Sequence, residues 1–124
     1  MHISVFLQSD KPAYKQIYEQ LSEQIISGRI AAGEALPPIR TVSAQTGVSV
    51  ITVRSAWERL EADGLIETRA GSGCYVAALT EKEKEEQRRR LLPVAEFVAK
   101  AKKTGLSYDT VCELLRAEWE KDGT

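Results

Sequence analysis

The chain has 124 residues, a formal net charge of -1 and a pI near 5.9, with 43% hydrophobic and 28% charged residues. At about 100–200 residues per domain this is one domain, or a small domain with an appendage, and its composition is that of a folding chain. The charge balance excludes a generally basic protein that coats nucleic acid. No apolar run approaches the roughly 18 residues of a membrane span, and the opening segment has no signal-peptide character, so a cytoplasmic protein without membrane partners is expected.

Residues 1–79 are punctuated by turn signals, whereas 80–124 read as helix; they are expected as a mixed N-terminal domain and a helical tail. Charge does not separate them: 1–79 carries 7 basic and 8 acidic residues, 80–124 carries 10 and 10. A first helix starts near Pro12, and Tyr14, Ile17, Tyr18, Leu21 and Ile25 recur at the spacing of one helical face. Gly28 stops it. A turn through Ala32-Gly33-Glu34 leads to Pro37-Pro38, which launches a short helix from Ile39 to Thr46 with Ile39, Val42 and Ser43 inward. Gly47 ends that helix. Ser49 caps the next, which runs to about Asp63 with Val53, Ala56, Trp57 and Leu60 on its core face. Two short helices about a glycine turn are the sequence form of a helix-turn-helix.

Leu65–Arg69 alternates as a strand, 70–73 is turn-forming, and Cys74–Ala77 is a second strand. A helix-turn-helix followed by a hairpin is a winged helix. Thr80-x-x-Glu83 is a capping box that opens a fourth helix. Its residues 81–90 have no apolar side chain, and acids precede bases, so Glu85–Arg89 and Glu86–Arg90 pairs would let it stand in water without a core. Leu91, Val94, Phe97, Val98 and Ala101 then form a stripe, with Pro93 expected to kink or break the helix. Gly105 closes it. Ser107 caps a last helix whose stripe is Tyr108, Val111, Cys112, Leu115 and Trp119. The fold expected is mainly α with a small β-hairpin: an N-terminal winged helix-turn-helix followed by a two-helix C-terminal dimerisation tail.

Residues 35–57 carry the chemistry. This 23-residue window contains Arg40 and Arg54 and no Asp or Glu. A surface that meets phosphates must be free of carboxylates. With Val53, Trp57 and Leu60 inward, Ile51, Ser55 and Glu58 point most directly outward. Recognition helices dock by their N-terminal turns, which puts Ser49, Val50, Ile51, Thr52 and Arg54 near base edges or phosphates. Val50 and Ile51 suit thymine methyl groups, or are ordinary surface aliphatics. Arg40 suits a phosphate or a guanine, or else a surface ion pair with Glu34 or Glu58. Arg69 and the tip Gly71, Ser72 and Gly73 make a wing able to approach the sugar-phosphate backbone.

Nothing points to an enzyme. Cys74 and Cys112 are isolated, the only histidine, His2, lies at a terminus expected to be mobile, and no cluster has metal-ligand spacing. No cofactor and no metal are expected. A winged helix used as a protein-interaction module is the competing reading; the acid-free window and Arg54 favour DNA.

These residues resemble the GntR family of bacterial transcriptional regulators over about 12–76. The pattern includes Tyr14-Lys-Gln16-Ile17, Leu21, Ile25, Gly28, Ile30, Gly33, Leu36-Pro37, Arg40, Val42, Val48-Ser49, Thr52-Val53-Arg54, Ala56, Leu60, Gly64-Leu65-Ile66 and Gly71-Ser-Gly73-x-Tyr75-Val76. The short helical tail looks like the YtrA-like subfamily. The resemblance implies a homodimeric repressor on an inverted-repeat operator in double-stranded DNA. It implies DNA contacts by Arg40, by Ser49, Thr52 and Arg54, and by the wing near Gly71 and Gly73. Two departures stand out: Val50 where many relatives have Arg or Asn, and Pro38 where many have Ser.

The tail has more apolar surface than two short helices bury alone. Pairing with a second chain through Leu91, Val94, Phe97, Val98, Ala101, Val111, Leu115 and Trp119 is one outlet; packing on the first helix is the other. A tail of about 45 residues leaves little room for a ligand cavity of several hundred Å³, so an unidentified small-molecule effector would belong at the dimer interface.

Overall fold

The computed structural model describes residues 2–121. The chain forms two compact units, Met1–Leu91 and Leu92–Thr124. The division falls one helix beyond the change of texture at residue 80.

The first unit contains α1 (Ala13–Ile26), α2 (Ile39–Thr46), α3 (Val50–Ala62), strands β1 (Ile66–Arg69) and β2 (Gly73–Val76), and α4 (Glu81–Leu91). Its core takes Ile17 and Leu21 from α1, Val42 from α2, Val53, Ala56, Trp57 and Leu60 from α3, and Leu65, Ile66 and Val76 from the hairpin. These are the inward positions that the helical and strand periods mark. β1 and β2 pair antiparallel with Ile66 opposite Val76 and Arg69 opposite Gly73. The sheet gains a further edge that reads as a turn in sequence: Gly33 and Leu36 donate main-chain hydrogen bonds to Val76 and Cys74, and Val76 donates to Glu34, at 2.8–2.9 Å. β2 therefore has partners on both sides, and the base of the wing is fixed to the segment entering α2.

Two expectations are corrected. His2 is not a loose end: it begins an extended arm whose main chain is held by glutamines of α1. The fourth helix does not stand free in water. Gln87 is buried and donates to the Asp63 carbonyl at 2.7 Å. Arg90 pairs with Asp63 at 3.0 Å, not with Glu86. Leu91 packs against the core of this unit. The capping box and the Glu85–Arg89 pair are present as expected.

The second unit contains α5 (Val94–Lys103) and α6 (Tyr108–Lys121). Pro93 breaks the helix, because it lacks the N–H that would continue the ladder and its ring clashes with the preceding turn. Residues 80–124 therefore hold three helices, two of them in the second unit. The Ser107 hydroxyl caps α6 by accepting from the Thr110 N–H at 3.2 Å. Among the described residues, no helix is long and apolar enough to cross a membrane.

Candidate nucleic-acid interface

The local chemistry between α2 and α3 sets the presentation of the second helix. Gly47 closes α2 in the left-handed region at φ 76, where a Cβ would be strained. The Ser43 hydroxyl donates to the Val48 carbonyl at 2.5 Å, and the Thr46 hydroxyl to the Val42 carbonyl at 2.7 Å. Val48 is buried beneath this turn. Ser49 then caps α3, accepting from the Thr52 N–H at 3.2 Å, with its hydroxyl also 2.8 Å from that of Thr52. Because α3 buries Val53, Ala56, Trp57 and Leu60, its opposite face is turned outward by the helical period.

Along that outward face Ile51 is 74% exposed, Arg54 and Ser55 are exposed, and Val50 and Thr52 are half-buried. Arg40 is exposed in the first turn of α2. Neither Arg40 nor Arg54 joins an ion pair among the described residues, so the alternative of an Arg40 pair with Glu34 or Glu58 is not realised. α2 and α3 therefore each offer an unneutralised guanidinium, Arg40 in the first turn of α2 and Arg54 on the outward face of α3, and the N–H groups that open α3 carry partial positive charge. Glu58 and Glu61 lie further along, towards the C-terminal end. The Thr68 hydroxyl donates to Glu61 at 3.2 Å.

The wing is internally braced. Arg69 lies over the Tyr75 ring at 4.1 Å and pairs with Glu67 at 3.3 Å. The Tyr75 hydroxyl donates to the Ser72 carbonyl at 3.1 Å and is 2.5 Å from the Ser72 hydroxyl. Gly71, Ser72 and Gly73 are exposed at the tip. Arg69 is thus part of the wing's frame, whereas the tip presents little beyond backbone. Sequence reasoning placed Tyr75 in the family pattern but missed its role as a brace for Arg69, which lies diagonally across the strand pair from it.

The C-terminal end of α3 is held separately. Asp63 accepts from the Tyr18 hydroxyl of α1, receives Arg90 of α4, and offers its carbonyl to Gln87. Arg59 covers the Tyr18 ring at 4.5 Å. Burial, and then the hydrogen bond to Asp63, raise the Tyr18 phenol above its ordinary 10.0, so it stays a donor at neutral pH. Three helices converge on this one carboxylate, well away from the acid-free end.

Of the eight residues expected at a dimer interface, Leu91 is covered by the first unit and Ala101 is 8% exposed. Val94, Phe97, Val98, Leu115 and Trp119 are exposed, and Val111 is half-buried. Among the described residues no group of His, Cys, Asp and Glu is arranged to hold a metal ion.

This architecture defines a winged helix-turn-helix protein of the kind that regulates transcription. Residues 13–76 match the model of the gntR family of bacterial regulatory proteins. The chain is 32% identical over 107 residues to the helix-turn-helix transcriptional regulator YhcF of Bacillus subtilis, covering 86% of this chain and 88% of that protein. It is similar over 98% of its length to all of YtrA from Sulfolobus acidocaldarius, a GntR-family transcription factor, at 25% identity and a TM-score of 0.58. Over 62% of its length it matches the AraR DNA-binding domain solved in complex with operator ORX1, at 32% identity and a TM-score of 0.55. Other curated relatives are far longer, and the chain spans only 14–30% of several of them. The chain belongs to the gntR family, and its short helical region is of the YtrA-like kind.

Proposed function

We propose that the protein is a repressor that binds an inverted-repeat operator as a homodimer. The observation that carries this reading is the leading end of α3. It is outward-facing and free of carboxylates, with the unpaired Arg54 guanidinium on it, and Arg40 stands exposed and unpaired in the first turn of α2. Ser49, Thr52 and Arg54 meet phosphates and base edges in the major groove, and Val50 and Ile51 lie against thymine methyls. Gly71, Ser72 and Gly73 bring the wing tip to the backbone. That the similar AraR DNA-binding domain is solved in complex with an operator supports DNA as the partner.

Val94, Phe97, Val98, Leu115 and Trp119 supply the pairing surface, an apolar face too large to leave in water. An isologous pair would set two recognition helices about 34 Å apart, one turn of duplex. A small effector would have to bind where the two copies meet. The test is a salt titration of binding to duplex from the protein's own upstream region. Log K must fall steeply with log salt, with several phosphates neutralised per dimer. Absence of binding at low salt removes the proposal.

A further inference from the structure

The arm at residues 2–6 is held by a periodic match between a helix and an extended chain. Gln16, Gln20 and Gln24 stand four residues apart on one face of α1. Each side-chain amide engages both main-chain groups of one arm residue. Gln24 accepts from the His2 N–H at 3.1 Å and donates to its carbonyl at 2.6 Å. Gln20 does the same for Ser4 at 2.9 and 2.6 Å, and Gln16 for Phe6 at 2.8 and 2.9 Å. Four helical residues rise about 6.0 Å, and two extended residues advance about 6.6 Å. The two repeats agree closely enough for three successive rungs. The amides thus do the work of a neighbouring β-strand, and Ile3 and Val5 turn towards the core between the rungs.

Every rung reads main chain alone, so the face has no means of telling its own arm from another copy's. The link to α1 is short and polar. Residues 7–11 are exposed throughout; their turn is closed by hydrogen bonds from the Ser9 N–H to the Phe6 carbonyl and from the Lys11 N–H to the Ser9 hydroxyl, both 3.2 Å, and it is tied to α1 by the Gln16 amide, which donates to the Lys11 carbonyl at 2.8 Å, and by the Lys11–Glu19 ion pair. Phe6 and Leu7, at this hinge, are 70% and 69% exposed. Opening the hinge disturbs no fully buried apolar side chain.

We infer that Gln16, Gln20 and Gln24 form a receptor for an extended strand, and that its second occupant is the N-terminal arm of another copy of this chain. Exchange replaces each contact by an identical one, so the concentration of neighbouring copies and the hinge decide the balance. The inference does not depend on DNA binding or on pairing through α5 and α6.

The test uses full-length chains. Ser4→Pro removes the N–H that Gln20 accepts from and leaves the receptor whole. Gln20→Leu removes the middle rung and leaves the arm whole. Isotope-labelled Ser4→Pro chain is mixed with unlabelled Gln20→Leu chain, and the side-chain amide resonances of the three glutamines are followed. They are expected to return saturably towards their wild-type positions, and to stay displaced when unlabelled Ser4→Pro chain is added instead. No movement in either mixture, with wild-type circular dichroism for both variants, overturns the inference. So does a Ser4→Pro chain whose resonances already coincide with wild type. Should a variant fail to fold, wild-type chains serve: labelled and unlabelled copies incubated together should give isotope-filtered cross-peaks between the Gln20 amide of one and Ser4 of the other, and their absence at millimolar chain refutes exchange. Sedimentation counts association by tails and by arms alike, so dimers whose glutamine resonances show no exchange overturn only the arm's role.

Discussion

Arg54→Ala isolates the reading of DNA from the stability of the fold. The side chain is exposed and joins no ion pair among the described residues, so truncation strands no partner, and folding stability should stay within about 0.5 kcal/mol of wild type. On DNA a base contact of this kind is worth about 1–3 kcal/mol. A two-fold operator meets two copies, so the loss doubles to about 2–6 kcal/mol. At roughly 1.4 kcal/mol per decade, affinity should fall between about 30-fold and about 10⁴-fold. The assay is fluorescence anisotropy of labelled operator at fixed salt, repeated over a salt series. A guanidinium that touches only phosphate would lower the salt slope by about 0.9 per copy and weaken all sequences alike. A base contact would instead narrow the gap between operator and random duplex. Unchanged operator affinity in a folded variant refutes the placement of Arg54 in the groove.

Leu60→Ala removes a fully buried side chain from α3 and should cost about 2–5 kcal/mol in urea unfolding; a cost below about 1 kcal/mol would mean that the core closes elsewhere. Trp119→Asp places a charge on the exposed stripe of α6, where the indole is 78% exposed, and should convert dimers to monomers in sedimentation without loss of helix. Retained dimers would move the interface off this stripe. The Thr80 main-chain N–H and hydroxyl hold the Glu83 carboxyl below its ordinary 4.5. Its support for α4 is complete above that unfolded value and is lost as pH falls through the lower folded one. Far-UV circular dichroism should show helix lost in that acid range, and Glu83→Gln, which cannot titrate, should abolish that step; an identical acid profile in the variant would separate the capping box from α4.

The winged helix was legible because its signals are local. Gly28, Gly47 and Gly64 end three helices, Ser49 and Thr80 cap two, and the inward positions of α1 and α3 repeat at the helical period. What stayed hidden is polar and long-range. Gln87 meets Asp63 across 24 residues of sequence, and no apolar stripe announces α4 as a packed helix. The third sheet edge at 33–36 pairs through main chain alone, so its side chains read as a turn. As a row, Gln16, Gln20 and Gln24 carried no signal in the sequence, since amides on a helix ordinarily face water; their partner is the main chain of the arm. At the interface, Arg40 and Arg54 were legible from missing carboxylates, whereas the Arg69–Tyr75 stack needed the cross-strand register.

Anchorage and the surface proposed to read DNA occupy different halves of α3. Asp63 fastens one extremity to two other helices, while Val50, Ile51, Arg54 and Ser55 at the other bear almost none of the weight of the fold. Residues at those four positions can change without loosening the framework. On the proposed reading, new operators are therefore within reach of single substitutions, and a lineage can retarget this protein faster than it can rebuild it.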